Sequence, residues 1–170
     1  GEPPREGAVY DSNRYTVFGL LTRLGVEVID LGVVRDEPAL LEAAFRDAAQ
    51  RADAIITSGG VSVGEADHTR TMMKQLGDVA FWRIAMRPAK EASGAYTTSA
   101  YSYQNDTKQE TGGAILFGLP GNPVAVMVTF LAFVRPALLR MMGSTRPAPP
   151  LLRAVSTEAI RKKPGRTEYQ

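Results

Sequence analysis

The sequence predicts an α/β domain in which helices layer against a mostly parallel sheet. Two patterns carry this prediction. Short strand-like runs alternate with segments of helical periodicity. Two of those runs end in glycine-containing turns that open onto helices, at Ser58–Gly64 and at Pro120–Pro123. A length of 170 residues suits one compact core with a fragment of a second unit.

In chain order, Asp11 or Ser12 is placed to cap a first helix. Val17, Leu20, Leu21 and Leu24 follow at helical spacing, and Gly25 stands where a C′ glycine ends such a run. Residues 27–34 (EVIDLGVV) alternate and are rich in β-branched side chains, the mark of a strand. Asp36 is placed to cap a second helix, with Pro38 in its first turn and Leu40, Ala44, Phe45 and Ala48 on one face. Ala54–Thr57 reads as a short apolar strand running into the glycine-rich loop. A short helix over 69–76 and a strand over 79–86 are expected next, then a strand at Ile115–Leu119. The helix from Val124 to about Met142 is apolar nearly all round, so it is buried or covered by another subunit.

The polar stretch 91–113, with Tyr96, Tyr101 and Tyr103, reads equally as a hairpin or a loop. Arg146-Pro147-Ala148-Pro149-Pro150 is a stiff linker. The expected organisation is therefore one domain over 1–145, and over 146–170 a linker with the truncated start of a further domain.

Composition sets limits on function. The chain has no cysteine and one histidine, which excludes thiolate chemistry, disulfides and His-rich zinc sites, and suits a cytoplasmic setting. A net charge of +2 is too small to argue for nucleic acid. No membrane association is expected either. The longest apolar-rich run, 124–139, is interrupted by Thr129, Arg135 and Pro136 short of the roughly 20 residues a span requires.

The chemistry-bearing pattern is Thr57-Ser58-Gly59-Gly60-Val61-Ser62-Val63-Gly64-Glu65-Ala66-Asp67. Paired glycines let the backbone turn sharply and approach a ligand, while successive amides and the Ser58 and Ser62 hydroxyls form an anion-binding concavity. A tight turn of small residues is the plain alternative. The segment lacks the Gly-Lys-Ser/Thr of a P-loop and the spacing of a dinucleotide fingerprint. Asp67 serves either as a helix cap or as a magnesium ligand beside phosphate. If Ser12 caps the first helix, Asp11 is left as a second carboxylate. Gly121 and Asn122 form another strand-to-helix turn whose amides and dipole suit an anion, with Asn122 as N-cap the plain reading. Arg87 and Lys90 supply cations after a strand, or are solvated surface charge.

Taken together, YDSN (10–13), EVIDLGVVRD (27–36), TSGGVSVGEADHT (57–69), FWRIAMRPAK (81–90) and FGLPGNPVAV (117–126) resemble the molybdopterin molybdenumtransferases, relatives of the gephyrin E domain. The resemblance implies a three-layer αβα sandwich followed by a small C-terminal β domain. It implies an enzyme of molybdenum cofactor synthesis that inserts molybdate into adenylylated molybdopterin, with Mg2+-dependent hydrolysis of the adenylate. It also implies a homodimer and contact with the adenylyltransferase. By match of motif, Asp11 and Asp67 become the catalytic and metal-binding acids. Ser58, Gly59, Gly60 and Ser62, with Gly121 and Asn122, become the cofactor cradle, and Arg87 and Lys90 the molybdate cations. Arg87 stands where the family usually has lysine and Ala89 where it has glycine. Two alternatives stay open: an adenylyltransferase of the same fold, and a non-catalytic oligomerising or scaffold module.

Overall fold

The computed structural model describes residues 10–59 and 114–160 together with the backbone of strands 77–81, 86–88, 99–103 and 167–169. The first helix, α1 (Ser12–Leu24), is capped by Asp11, whose carboxylate accepts from the Arg14 amide at 3.2 Å. Of the two candidate caps, Asp11 is therefore the one used. Gly25 ends α1 with φ 77°, a left-handed conformation that a side chain would oppose.

Residues 26–35 correct the expectation of a strand over 27–34, for they are in no strand and pair with none among the described residues. Gly32 has φ 71°, and Asp30 Oδ1 accepts from its amide at 2.9 Å. That Asx turn interrupts the extended run. Ile29, Leu31 and Val33 stay exposed.

Helix α2 (Pro38–Arg51) starts on Pro38, as the fixed φ of proline favours. Its N-cap is Glu37, without a side-chain bond, rather than the expected Asp36. The buried face is Leu41, Phe45 and Ala48, while Leu40 is exposed. The expected stripe is thus rotated by one residue at its start.

Strands β1 (Ala54–Ser58) and β5 (Ile115–Leu119) form the parallel heart of the sheet, with Ile55 opposite Leu116 and Ser58 opposite Leu119. The stretch expected as one strand over 79–86 instead supplies β2 (Gly77–Phe81) and β3 (Met86–Pro88). The undecided stretch 91–113 supplies β4 (Ser99–Tyr103). Sheet order is β1-β5-β4-β2. Because β4 runs antiparallel to both neighbours, β1, β2 and β5 share one direction. β6 (Thr167–Tyr169) pairs parallel with β3 in a separate two-stranded sheet. The helix expected over 69–76 lies outside the described residues.

Alternation along β1 and β5 makes the three layers, because successive side chains leave opposite faces of a strand. Ile55 and Leu116 pack on α2 through Leu41, Phe45 and Ala48. Phe117 and Leu119 pack on the opposite face with Val17 of α1 and with Val126, Phe130, Val134 and Leu138. Those last four belong to one continuous helix, Pro123–Met141. It comprises α3 (Pro123–Thr129), a π segment (Phe130–Val134) and α4 (Arg135–Met141). Pro136 has no N–H to give, and the Arg135 amide reaches back five residues to Phe130 O, so the wider turn carries the helix past the proline. The expected interruption is therefore absorbed, and by length and composition this helix could cross a membrane. Its inner line, however, is committed to the sheet: Val126, Phe130 and Val134 are 0–1% exposed.

Phe130→Ala is expected to cost about 3–5 kcal/mol in urea unfolding, since it empties a fully buried site. Leu131→Ala on the exposed side of the same helix should change stability by about 0.5 kcal/mol or less.

Candidate functional site

The site grows out of the register of β1 and β5. Two parallel neighbours that end opposite each other, at Ser58 and Leu119, must deliver their following turns side by side. They do: the Gly59 amide donates to Leu119 O at 3.2 Å, extending the ladder one residue into the bend. Gly59 has φ 79°, so the chain leaves β1 through a conformation that glycine takes freely. A Cβ built on Gly121 would lie 4.0 Å from the Gly59 α-carbon. The glycine turns after β1 and β5 therefore abut at the carboxyl rim, where open α/β sheets hold their ligands.

Asn122 caps α3, its Oδ1 accepting from the Ala125 amide at 3.1 Å. The Val126 amide returns to Asn122 O at 2.9 Å. Pro123 contributes no donor, which leaves the Asn122 and Val124 amides as the donors at this helix start without a partner among the described residues. β3, which carries Arg87, packs against α3.

Helix α1 joins the site through a contact that sequence reasoning missed. Asn13 Nδ2 donates to Gly121 O at 2.7 Å, tying residues 108 positions apart. The YDSN motif signalled that something happens there, but only Asp11 and Ser12 drew roles from it. Two residues earlier, the Asp11 carboxylate is divided between the Arg14 amide and the Arg14 guanidinium. Arg14 Nε lies 3.3 Å from Asp11 Oδ2, an ion-pair distance without hydrogen-bond alignment. Arg14 Nη1 lies 3.4 Å from both oxygens of Asp30, Nη2 donates to the Tyr15 hydroxyl at 3.0 Å, and the guanidinium sits 4.8 Å over the Tyr15 ring. Desolvation opposes the charge on Arg14, but Asp30 and Tyr15 together outweigh it and hold the guanidinium above its ordinary pKa. Arg14 thus spans from the start of α1 to the 26–35 segment. Of the two open caps Asp11 is the one used, so the alternative in which Ser12 caps and leaves Asp11 free does not hold: Asp11 caps and is ion-paired.

A cavity of about 910 Å3 runs beside these elements, with Asp11, Arg14, Asp36, Ser58 and Gly59 among its lining and Phe45 and Ile55 beneath. Among the described residues no group of three or more acids and histidines is close enough to hold a metal on its own. Gly60, Ser62, Asp67 and Lys90 lie outside the described residues, and for Arg87 the backbone alone is described. The structure thus brings together Ser58, Gly59, Gly121 and Asn122, with Asp11 reached through α1.

A three-layer αβα domain with two glycine bends abutting at its carboxyl rim is a ligand-binding α/β domain of the open-sheet class. Residues 5–140 match the family of probable molybdopterin binding domains, and the chain belongs to that family. It is 40% identical over 171 residues to the molybdopterin molybdenumtransferase of Haemophilus influenzae, a match spanning 100% of this chain and 39% of that protein. It is 35% identical over 162 residues to the enzyme of the same name from Bacillus subtilis, spanning 95% of this chain and 34% of that one. The chain therefore spans little more than a third of the length of these relatives. Among solved structures, the tungsten cofactor synthesizing protein MoaB from Pyrococcus furiosus superposes with TM-score 0.59 at 20% identity, covering 81% of this chain and 87% of that one. A structure of MogA superposes with TM-score 0.56 at 23% identity, covering 78% and 90%. At these identities the likeness concerns the fold.

Gly59→Ala should lower stability by about 1–2 kcal/mol, because a Cβ opposes the left-handed backbone. Gly121→Ala, which meets ordinary contact at 4.0 Å and needs no such backbone, should be close to neutral in the same denaturation experiment.

Proposed function

We propose that this chain is the pterin-binding core of a molybdopterin molybdenumtransferase, which inserts molybdate into adenylylated molybdopterin and hydrolyses the adenylate with Mg2+. The observation that carries the reading is the abutment of the Gly59 and Gly121 bends at the carboxyl rim, a setting in which turn amides can converge on a diphosphate. The identity to enzymes of that name supports it over the full length of the chain.

In this reading Ser58, Gly59, Gly60 and Ser62 hold one side of the phosphate and pterin, and Gly121 and Asn122 hold the other. The start of the 19-residue helix Pro123–Met141 adds its positive dipole end to the same ligand. Arg87 and Lys90 meet the molybdate oxyanion in this reading, and Arg87 lies on β3, a strand that packs against α3.

Mg2+ takes one or two carboxylates, keeps several waters and completes its shell with substrate phosphate. Asp11, half-exposed and paired among the described residues only with Arg14, would supply one hard oxygen donor of the pair Asp11 and Asp67. When bound, the ion neutralises phosphate charge and polarises the phosphorus for attack by water. Asp11 and Asp67 would be the catalytic carboxylates of this reading, ordering the attacking water and taking up its proton as bases.

The whole enzyme is cytoplasmic and homodimeric in this reading, and it receives its adenylylated substrate from the adenylyltransferase. The line Val124, Met127 and Leu131, exposed at 52%, 45% and 45%, gives the Pro123–Met141 helix an apolar outer face for a partner chain.

Adenylylated molybdopterin is expected to bind in a Mg2+-dependent manner, and Asp67→Ala should weaken that binding about tenfold or more, the loss of a charge-assisted metal contact. Calorimetry with and without chelator checks this. Binding indifferent to both chelator and Asp67→Ala contradicts the metal assignment. Turnover of ATP with free pterin would assign the chain to the adenylyltransferases instead.

A further inference from the structure

We propose that Asn13 is a positioning residue of this site, holding the Gly121–Asn122 peptide in the one orientation that presents the Asn122 amide to an anion. The inference rests on the cradle reading given above and names the device that sets its geometry.

In a trans peptide the C=O and the following N–H point in opposite directions. Asn13 Nδ2 donates to Gly121 O at 2.7 Å. The Asn122 N–H must then point away from α1, and it has no hydrogen-bond partner among the described residues. The assignment of the Asn13 amide follows from the contact itself, since a carbonyl oxygen can only accept and only the NH2 group can face it.

This peptide needs an external hold. Glycine on its N-terminal side gives it the freedom to rotate between turn types, which differ mainly in the orientation of the central peptide. The flanking Pro120 and Pro123 fix their own φ but do not fix this plane. The Asn122 side chain cannot do so either, because it is turned inward to cap Ala125. Among the described residues, the bond from Asn13 is the one that acts on the Gly121 carbonyl.

The side chain is also kept at a cost. Asn13 Oδ1 is buried and has no hydrogen-bond partner among the described residues. A buried acceptor left unmade costs about 1–3 kcal/mol, so an apolar residue would serve mere packing better. A carboxamide retained here is explained by what its other end does to the turn.

The experiment uses the 170-residue chain with inorganic pyrophosphate as the probe, read by calorimetry and by the Asn122 amide resonance in NMR. Asn13→Asp is nearly isosteric but puts an acceptor against the Gly121 carbonyl, and Asn13→Ala removes the side chain. Both are expected to raise the pyrophosphate Kd about tenfold, the worth of one oriented donor. Both should shift the Asn122 amide resonance before any ligand is added, and Asn13→Gln, which keeps the amide donor on a longer stem, should recover part of each effect. Parent-like Kd and parent-like Asn122 resonance in Asn13→Asp and Asn13→Ala would overturn the role of Asn13 alone. A lowered melting temperature with an unchanged Kd would also overturn it, by marking Asn13 as structural. Absence of pyrophosphate binding by the parent chain would overturn the cradle reading itself, and the role of Asn13 with it.

Discussion

The backbone ladder between β1 and β5 governs the rest of this molecule, and it does so through where it stops. Ser58 lies opposite Leu119, and the Gly59 amide adds one more bond to Leu119 O. With that register fixed, the turns after the two strands have no choice but to meet. A slip of one residue would turn every side chain of β1 to the other face, sending Ile55 away from α2. Burial on both faces therefore fixes the register, and the register places the two glycine bends side by side. Packing energy distributed across the sheet is converted into the position of a few amides at its rim.

The two helical layers contribute differently. α2 closes one face through Leu41, Phe45 and Ala48. The other layer is both core and site. The Pro123–Met141 helix is anchored by Val126, Phe130 and Val134, and its first turn is the rim itself. α1 packs beside it through Val17 and reaches the same turn through Asn13. Rigid burial a turn or two away from the ligand-facing amides is what lets such amides stay fixed without a ligand.

Local chemistry was the part of the fold written most plainly in the sequence. Gly25 after a helical run, Pro38 at a helix start and the glycines after β1 and β5 each report a backbone demand that few residues satisfy. The strand expected at 27–34 shows the limit of pattern reading. Its alternation is real, yet Gly32 in the left-handed region and the Asp30 turn hold it off the ladder. β4 failed to announce itself for the opposite reason, since Ser-Ala-Tyr-Ser-Tyr has little apolar alternation and its pairing with β5 is a tertiary fact. At the site, residue types disclosed the bends but not the ties between them. Asp11 and Ser12 were interchangeable as caps on paper, and only the structure shows Asp11 engaged with Arg14. Asn13 was hidden because its partner is a backbone carbonyl 108 residues away.

The central claim is that the two bends act as one anion-binding surface. A crystal structure of the chain with pyrophosphate tests it most directly. The account predicts a diphosphate at the carboxyl rim with oxygens about 2.7–3.2 Å from amides of both the Gly59 bend and the Asn122 turn. A diphosphate held by one bend alone, or seated elsewhere on the molecule with the rim vacant, would contradict it.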